Sequence, residues 1–156
     1  TNSNLQHTIL RPSAVYGPLD VEDRVISKFM LTALRGGVLK VNGAGETLDF
    51  TYVSDAADGI VAAALSDATA NKTYNITKSH SSTLLSTAKL AVRIAGSGTI
   101  ECCDRDIDFP SRGALKIDAA RQDFGFDPKI DVDVGFQRYH EWFTTSDYWR
   151  NKLGLE

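Results

Sequence analysis

Ile9-Leu10-Arg11-Pro12-Ser13-Ala14-Val15-Tyr16-Gly17-Pro18 is the stretch on which the reading of this chain turns. Residues 7–11 read as a short buried strand, and residues 11–18 as the Pro/Gly-rich loop that ends it. Working outward, Val25, Ile26, Phe29, Met30, Ala33 and Leu34 recur on one face of a helix over residues 23–35, which Gly36-Gly37 stops. Residues 38–41 form a brief strand closed by the turn Asn42-Gly43-Ala44-Gly45, read as a hairpin. Residues 47–53 alternate Leu48, Phe50 and Tyr52 against Thr47, Asp49 and Thr51, the pattern of a half-buried strand. Ser54 or Asp55 caps a helix to about Leu65, with Ile60, Val61, Ala64 and Leu65 on one face. A strand over 73–77 follows. Next comes a helix opened by Ser82, with Leu84, Leu85, Ala88, Ala91, Val92 and Ala95 inward and Gly96 closing it. Residues 99–103 read as a strand and 116–124 as a short helix ended by Gly125. Val132, Phe136, Tyr139 and Phe143 mark one more helix face, and residues 147–156 a loose helical turn. Strands and helices that alternate irregularly define an α/β or α+β domain.

The chain has 156 residues, the size of a single domain spanning 1–156 that buries a core without disulfide or metal staples. Apolar residues make up 42% and charged residues 24%, which excludes a chain lacking a folded core. Seventeen Lys and Arg against twenty Asp and Glu give a net charge of −3. That balance argues against nucleic acid or an anionic membrane as partner. No apolar run approaches the roughly 20 residues of a membrane span. Residues 1–7 carry neither the basic start nor the apolar stretch of a signal peptide. The single Met is Met30, inside a helical pattern, so the chain reads as processed or as a piece of something longer. Cys102 and Cys103 are adjacent and geometrically poor for bridging each other, as expected of strand residues in a reducing cytoplasm. His7, His80 and His140 share no metal-ligand spacing.

Three apparent motifs fail on inspection. Gly43-Ala44-Gly45 lacks the third glycine of a dinucleotide fingerprint, since Leu48 stands there, and a strand follows where a helix is required. Tyr74-x-x-x-Lys78 and Tyr148-x-x-x-Lys152 have a spacing that does acid/base chemistry only on a helix. Tyr74 lies in a strand pattern, and Tyr148 lies in the tail expected to fray. Gly-x-Ser-x-Gly and Gly-x-x-x-x-Gly-Lys are both absent.

The motifs nevertheless form an ordered series. Residues 9–18 resemble the strand and loop that follow the catalytic helix in extended short-chain dehydrogenases/reductases, the NAD-dependent sugar-nucleotide epimerases and dehydratases. Leu39-Lys40-Val41-Asn42-Gly43-Ala44-Gly45, then Asp49-Phe50-Thr51-Tyr52-Val53-Ser54-Asp55-Ala56-Ala57, are similar to that family's substrate-domain hairpin and next helix start. Tyr74-Asn75-Ile76 matches its following strand. Arg112-Gly113, Gly125-Phe126-Asp127-Pro128-Lys129 and Gly135-Phe136 resemble its closing segment. The likeness covers about residues 7–143. It implies the C-terminal part of an extended Rossmann-type dehydrogenase: the last strands of the parallel sheet plus a small α+β substrate-binding domain. The family's Gly-rich pyrophosphate loop and catalytic Tyr-x-x-x-Lys helix lie upstream of the Arg-Pro-Ser loop, and about ten residues precede that loop here. The chain is therefore expected to be a fragment, or half of a split protein, and inactive alone.

The resemblance further implies NAD(P) in the complete protein, with Pro12 and Ser13 against the nicotinamide, and no cofactor is expected to bind the fragment alone. Pro12 lacks a donor and stiffens the strand exit; the Ser13 hydroxyl can bond an amide. Ala14 stands where the family often has Asn, and Leu48 where it has Arg; neither side chain can bond phosphate. Arg112 is then the best anion ligand, since a guanidinium grips phosphate with two parallel bonds, with Lys28 and Asn75 as further substrate-binding candidates. Asp49 and Asp55 read as turn and cap residues, and Arg105 with Asp106 as a solvated, charge-rich loop. Three functions remain in view: the substrate-binding part of a nucleotide-sugar epimerase or dehydratase, a reductase of a non-nucleotide carbonyl compound, and a non-catalytic binding module. Residues 8–10 are expected to expose the edge of a parallel sheet and to promote self-association through the N-terminal strand.

Overall fold

Three parallel strand pairs and one antiparallel pair, all built from distant parts of the sequence, set the architecture among the described residues. The computed structural model describes residues 5–105, 107–108 and 110–154. Asp106 of the charge-rich loop and Leu155 and Glu156 of the tail lie outside the described residues. The chain runs β1 (Ile9–Pro12), β2 (Val15–Tyr16), α1 (Val25–Leu34), β3 (Val38–Asn42), β4 (Thr47–Asp49), β5 (Thr51–Tyr52) and α2 (Val53–Ala64). A 3-10 turn at Asp67–Thr69 leads to β6 (Thr73–Ile76), β7 (Ser81–Thr83), α3 (Leu84–Ala95), β8 (Thr99–Cys103), α4 (Asp118–Phe124), α5 (Val132–Thr145) and α6 (Asp147–Leu153). β1 lies parallel to β6, β2 to β5 and β3 to β8, while β4 and β7 are antiparallel. This is the α/β fold expected.

Helices with a clean 3.6-residue period sit as read. α1 buries Ile26, Phe29, Met30 and Ala33, and α5 buries Gly135, Phe136, Tyr139 and Phe143. These faces meet α3 and the inward residues of β3, Leu39 and Val41, in the main core. Within it the Tyr139 hydroxyl lies 2.9 Å from Ser27 Oγ, which in turn donates to Asp20. Burial pushes the Tyr139 phenol up to about 12, because the charged form would lose its water. A second, smaller core joins α2, α4 and β6 through Ala56, Tyr74, Ile76, Ala120 and Phe126. Gly59 makes that contact possible: a Cβ there would lie 2.6 Å from the Phe126 ring and 2.8 Å from Ile76.

Several expectations change. The Asn42–Gly45 turn exists, with Gly43 at φ +73° and its carbonyl accepting from the Glu46 N–H at 2.9 Å. It does not make a hairpin, because β3 pairs with β8 and β4 with β7. The strand over 47–53 is broken in two, and Asp49 and Thr51 are buried beside Phe50 and Tyr52. Their polar atoms are all engaged, so the alternation misled. Asp49 accepts backbone N–H groups from His80 at 3.3 Å and Leu115 at 2.9 Å. Thr51 Oγ1 accepts from Lys78 N–H at 3.1 Å.

α2 turns its other face inward. It buries Asp55, Ala56, Gly59 and Ala63, while Ile60, Val61 and Leu65 stand 44%, 56% and 82% exposed. Small residues let the helix settle on β6, and Asp55 fixes the rotation by accepting the Ile130 N–H at 2.7 Å. Asp55 is thus a long-range staple and not a cap. α3 begins after Thr83, not at Ser82; the Thr83 hydroxyl accepts the Ser86 N–H at 3.1 Å as an N-cap. The tail is a formed helix, α6, and not a loose turn.

Candidate functional site

α1, β3, the Asn42–Glu46 turn and the segment before α4 enclose a cavity of about 430 Å³. The period of each element decides what it shows there. α1 buries Phe29 on its core side and leaves Lys28 exposed on the cavity side. β3 points Leu39 and Val41 into the core and Lys40 and Asn42 outward. Arg105 and Arg112 come from the segment that crosses the far side, and Leu48 and Leu84 give an apolar wall.

That segment is pinned at several points. Arg112 bridges Thr47 as an isolated antiparallel pair, and its carbonyl accepts the Thr47 hydroxyl. Glu46 holds Arg105 at 2.9 Å and accepts the Ser111 hydroxyl at 2.8 Å. The buried Asp49 carboxylate takes the Leu115 N–H. The cavity wall is therefore set by side-chain anchors on backbone groups.

Four cations, Lys28, Lys40, Arg105 and Arg112, meet two carboxylates, Asp23 and Glu46, on this lining. The excess is positive in a chain whose net charge is −3. Positive side chains around a partly apolar cleft focus anionic ligands, and guanidinium groups match phosphate or carboxylate oxygens in pairs. The geometry can hold an anion with a less polar group against Leu48 and Leu84.

Lys28 and Arg112 both line this cavity. The structure places Asn75 elsewhere: its amide donates to the Lys116 carbonyl at 2.8 Å, tying β6 to the approach of α4. Pro12 and Ser13 do not line this cavity. They sit at the carboxyl end of the parallel pair β1–β6, the end at which open α/β sheets take ligands, and the Ser13 hydroxyl bonds no described residue. Lys40 and Arg105 line the cavity as well, which the sequence reading does not bring out. The alternation of β3 marks Lys40 as outward-facing, but nothing local shows what lies across from it. Of the two Tyr-x-x-x-Lys runs, Tyr74 is buried in β6 and donates to Asp123 at 2.5 Å, whereas Lys78 pairs with Asp131 at 2.9 Å. Tyr148 and Lys152 do share α6, with Lys152 Nζ 3.4 Å from the phenol. Among the described residues no cluster of His, Cys, Asp and Glu is arranged to hold a metal ion, and no helix is long and apolar enough to cross a membrane.

The profile of the NAD dependent epimerase/dehydratase family matches residues 1–77. UDP-glucuronic acid decarboxylase 1 of Xenopus tropicalis is 32% identical over 134 residues, covering 85% of this chain and 30% of that protein. The chain belongs to the NAD-dependent epimerase/dehydratase family. It spans under a third of that relative's length. Its fold is shared with epimerase Mth375 of Methanothermobacter thermautotrophicus, at a TM-score of 0.85 and 24% identity over 93% of this chain and 45% of that one. It is also shared with UDP-glucuronic acid 4-epimerase of Bacillus cereus, solved with UDP-glucuronic acid and NAD, at a TM-score of 0.80 and 23% identity over 86% of this chain and 44% of that one. In family terms, the motif series of residues 9–18, 39–57 and 74–76 occupies β1, β3–α2 and β6.

Proposed function

We propose that this chain is the sugar-nucleotide-binding portion of an NAD(P)-dependent epimerase, dehydratase or decarboxylase, inactive alone. The observation that carries the reading is the convergence of Lys28, Lys40, Arg105 and Arg112 on one cavity in an otherwise acidic chain. Arg112 and Lys28 grip the diphosphate, with Lys40 and Arg105 on the opposite wall, and Leu48 packs against an apolar part of the ligand. Pro12 and Ser13 fit the nicotinamide end of the cofactor, where the Ser13 hydroxyl can hold the carboxamide. A bound nicotinamide supplies hydride acceptance and return. The sequence contains no Gly-x-x-Gly-x-x-Gly, and its two Tyr-x-x-x-Lys runs lie off the cavity. The phosphate cradle and the acid/base tyrosine are therefore assigned to residues outside these 156.

Calorimetric titration of the chain with UDP-glucuronic acid, UDP-glucose and dTDP-glucose at low salt tests this. Saturable binding of at least one is expected, weakened about tenfold or more by Arg112→Ala. A folded chain that binds none of the three rejects it. That outcome favours the second reading, a reductase of a non-nucleotide carbonyl compound, for which apolar Leu48 on the cavity wall and Ala14 in the strand-exit loop speak.

The free edge of β1, with Ile9 half exposed, and the outer stripe of α2 are assigned to the nucleotide-binding part. Parallel strands are stable when covered on both faces. When that part is missing, the open edge pairs with a second copy. Sedimentation is expected to show concentration-dependent association that Ile9→Lys abolishes; a monomer at all concentrations refutes the assignment.

A further inference from the structure

On the far side of the loop carrying Asp23, a second cleft of about 650 Å³ opens between residues 19–23 and helices α5 and α6. Its walls are aromatic. Trp142 and Trp149 meet edge to face at 5.9 Å, and Tyr148 abuts Trp149 at 5.1 Å. Its rim is acidic, from Asp20, Glu22 and Asp23. The chain's own ammonium already shows what these walls hold. Lys152 Nζ lies 4.8 Å over the Trp149 ring and 5.6 Å from that of Tyr148, and pairs with Glu22. Asp20 pairs with Arg24 at 3.5 Å, so Asp23 is the one rim carboxylate with no ion pair to any described residue. Leu19 sits at the mouth, 88% exposed with φ +70°. An apolar side chain held outward in the left-handed region is a strained arrangement of the kind that marks contact surfaces. Aromatic walls under an acidic rim select a cation with an apolar neighbour.

We propose that this cleft docks a basic segment of a partner protein, placing an arginine side chain over Trp142 and Tyr148 against Asp23 and a neighbouring apolar residue on Leu19. The cleft shares Asp23 with the lining of the anion-binding cavity, but its aromatic walls do not line that cavity, and the proposal does not depend on the enzymatic reading.

Trp142 and Trp149 are the only tryptophans of the chain, so intrinsic fluorescence reads the cleft directly. The probe is a capped peptide alternating leucine and arginine; its counterpart carries citrulline in place of arginine, of the same shape but neutral. The arginine peptide is expected to change the emission saturably, with affinity about tenfold above that of the citrulline peptide. Asp23→Asn and Tyr148→Ala, both at exposed positions, are each expected to weaken binding about threefold or more. No saturable change, equal binding of the two peptides, or binding indifferent to both substitutions overturns the proposal. So does self-association that Tyr148→Ala abolishes, since the occupant is then a second copy.

Discussion

Gly135→Ala is expected to lift α5 from its aromatic bed and to destabilise the chain by about 3 kcal/mol, at the upper end of what overpacking costs. Gly135 is buried in α5, directly against Tyr16. A methyl group there overlaps the Tyr16 hydroxyl and lies 2.8 Å from Tyr16 Cζ and 3.0 Å from Tyr52 Cδ2. None of these neighbours can retreat easily. Tyr16 packs within 5.5 Å of the Tyr52 ring and 5.7 Å of the Phe136 ring, and its hydroxyl donates to the Val132 carbonyl at 3.3 Å. Tyr16→Phe removes the overlapping atom and one hydrogen bond of about 1 kcal/mol. The double variant is therefore expected to recover part of the loss. Urea unfolding of the two single variants and the double gives the coupling. If Gly135→Ala unfolds at the wild-type midpoint, or the double is less stable than the sum of the singles, the steric account fails.

Asp49→Ala is expected to cost about 3 kcal/mol and to abolish anion binding together. The carboxylate is buried, and its two oxygens each accept a backbone N–H, from His80 and from Leu115. Hydrogen bonds to a charged group contribute about 1.5–3 kcal/mol each, and removing the acceptor strands two donors. The Leu115 bond also anchors the segment that carries Arg112 to the cavity. Asp49→Asn retains one acceptor and is expected to fall between. Denaturation midpoints and calorimetric titration of the same proteins check both effects. A variant that loses stability but keeps full affinity shows that Asp49 does not position Arg112.

What was readable in the sequence follows from the range of the forces involved. α1 and α5 were legible because their burial follows a local period, and Gly96 and Gly125 marked helix ends because the left-handed cap is a property of the residue itself. α2 was misread because it carries two apolar stripes. The larger residues Ile60, Val61 and Leu65 drew the reading outward, while Ala56, Gly59 and Ala63 allow the close approach to β6. Asp49 and Asp55 passed for turn and cap residues because their partners, Leu115 and Ile130, lie 66 and 75 positions away. At the cavity, Arg112 and Lys28 came from family likeness and charge chemistry. Arg105 joined them only through the turn that brings Glu46 beside it.

The strand pairings carry a further consequence, for how the chain reaches this shape. Among the described residues no two successive strands pair, and even the closest partners in sequence, Asp49 and Ser81, are separated by all of α2 and β6. There is no local hairpin to nucleate a sheet, so each ribbon must close a long loop before it gains anything, a cost that slows folding. The most local contacts on offer join successive elements, α1 to β3, α3 to β8 and α5 to α6, and the ribbons zip on late. During that interval the unpaired strands are exposed, which makes dilute conditions the natural choice for refolding.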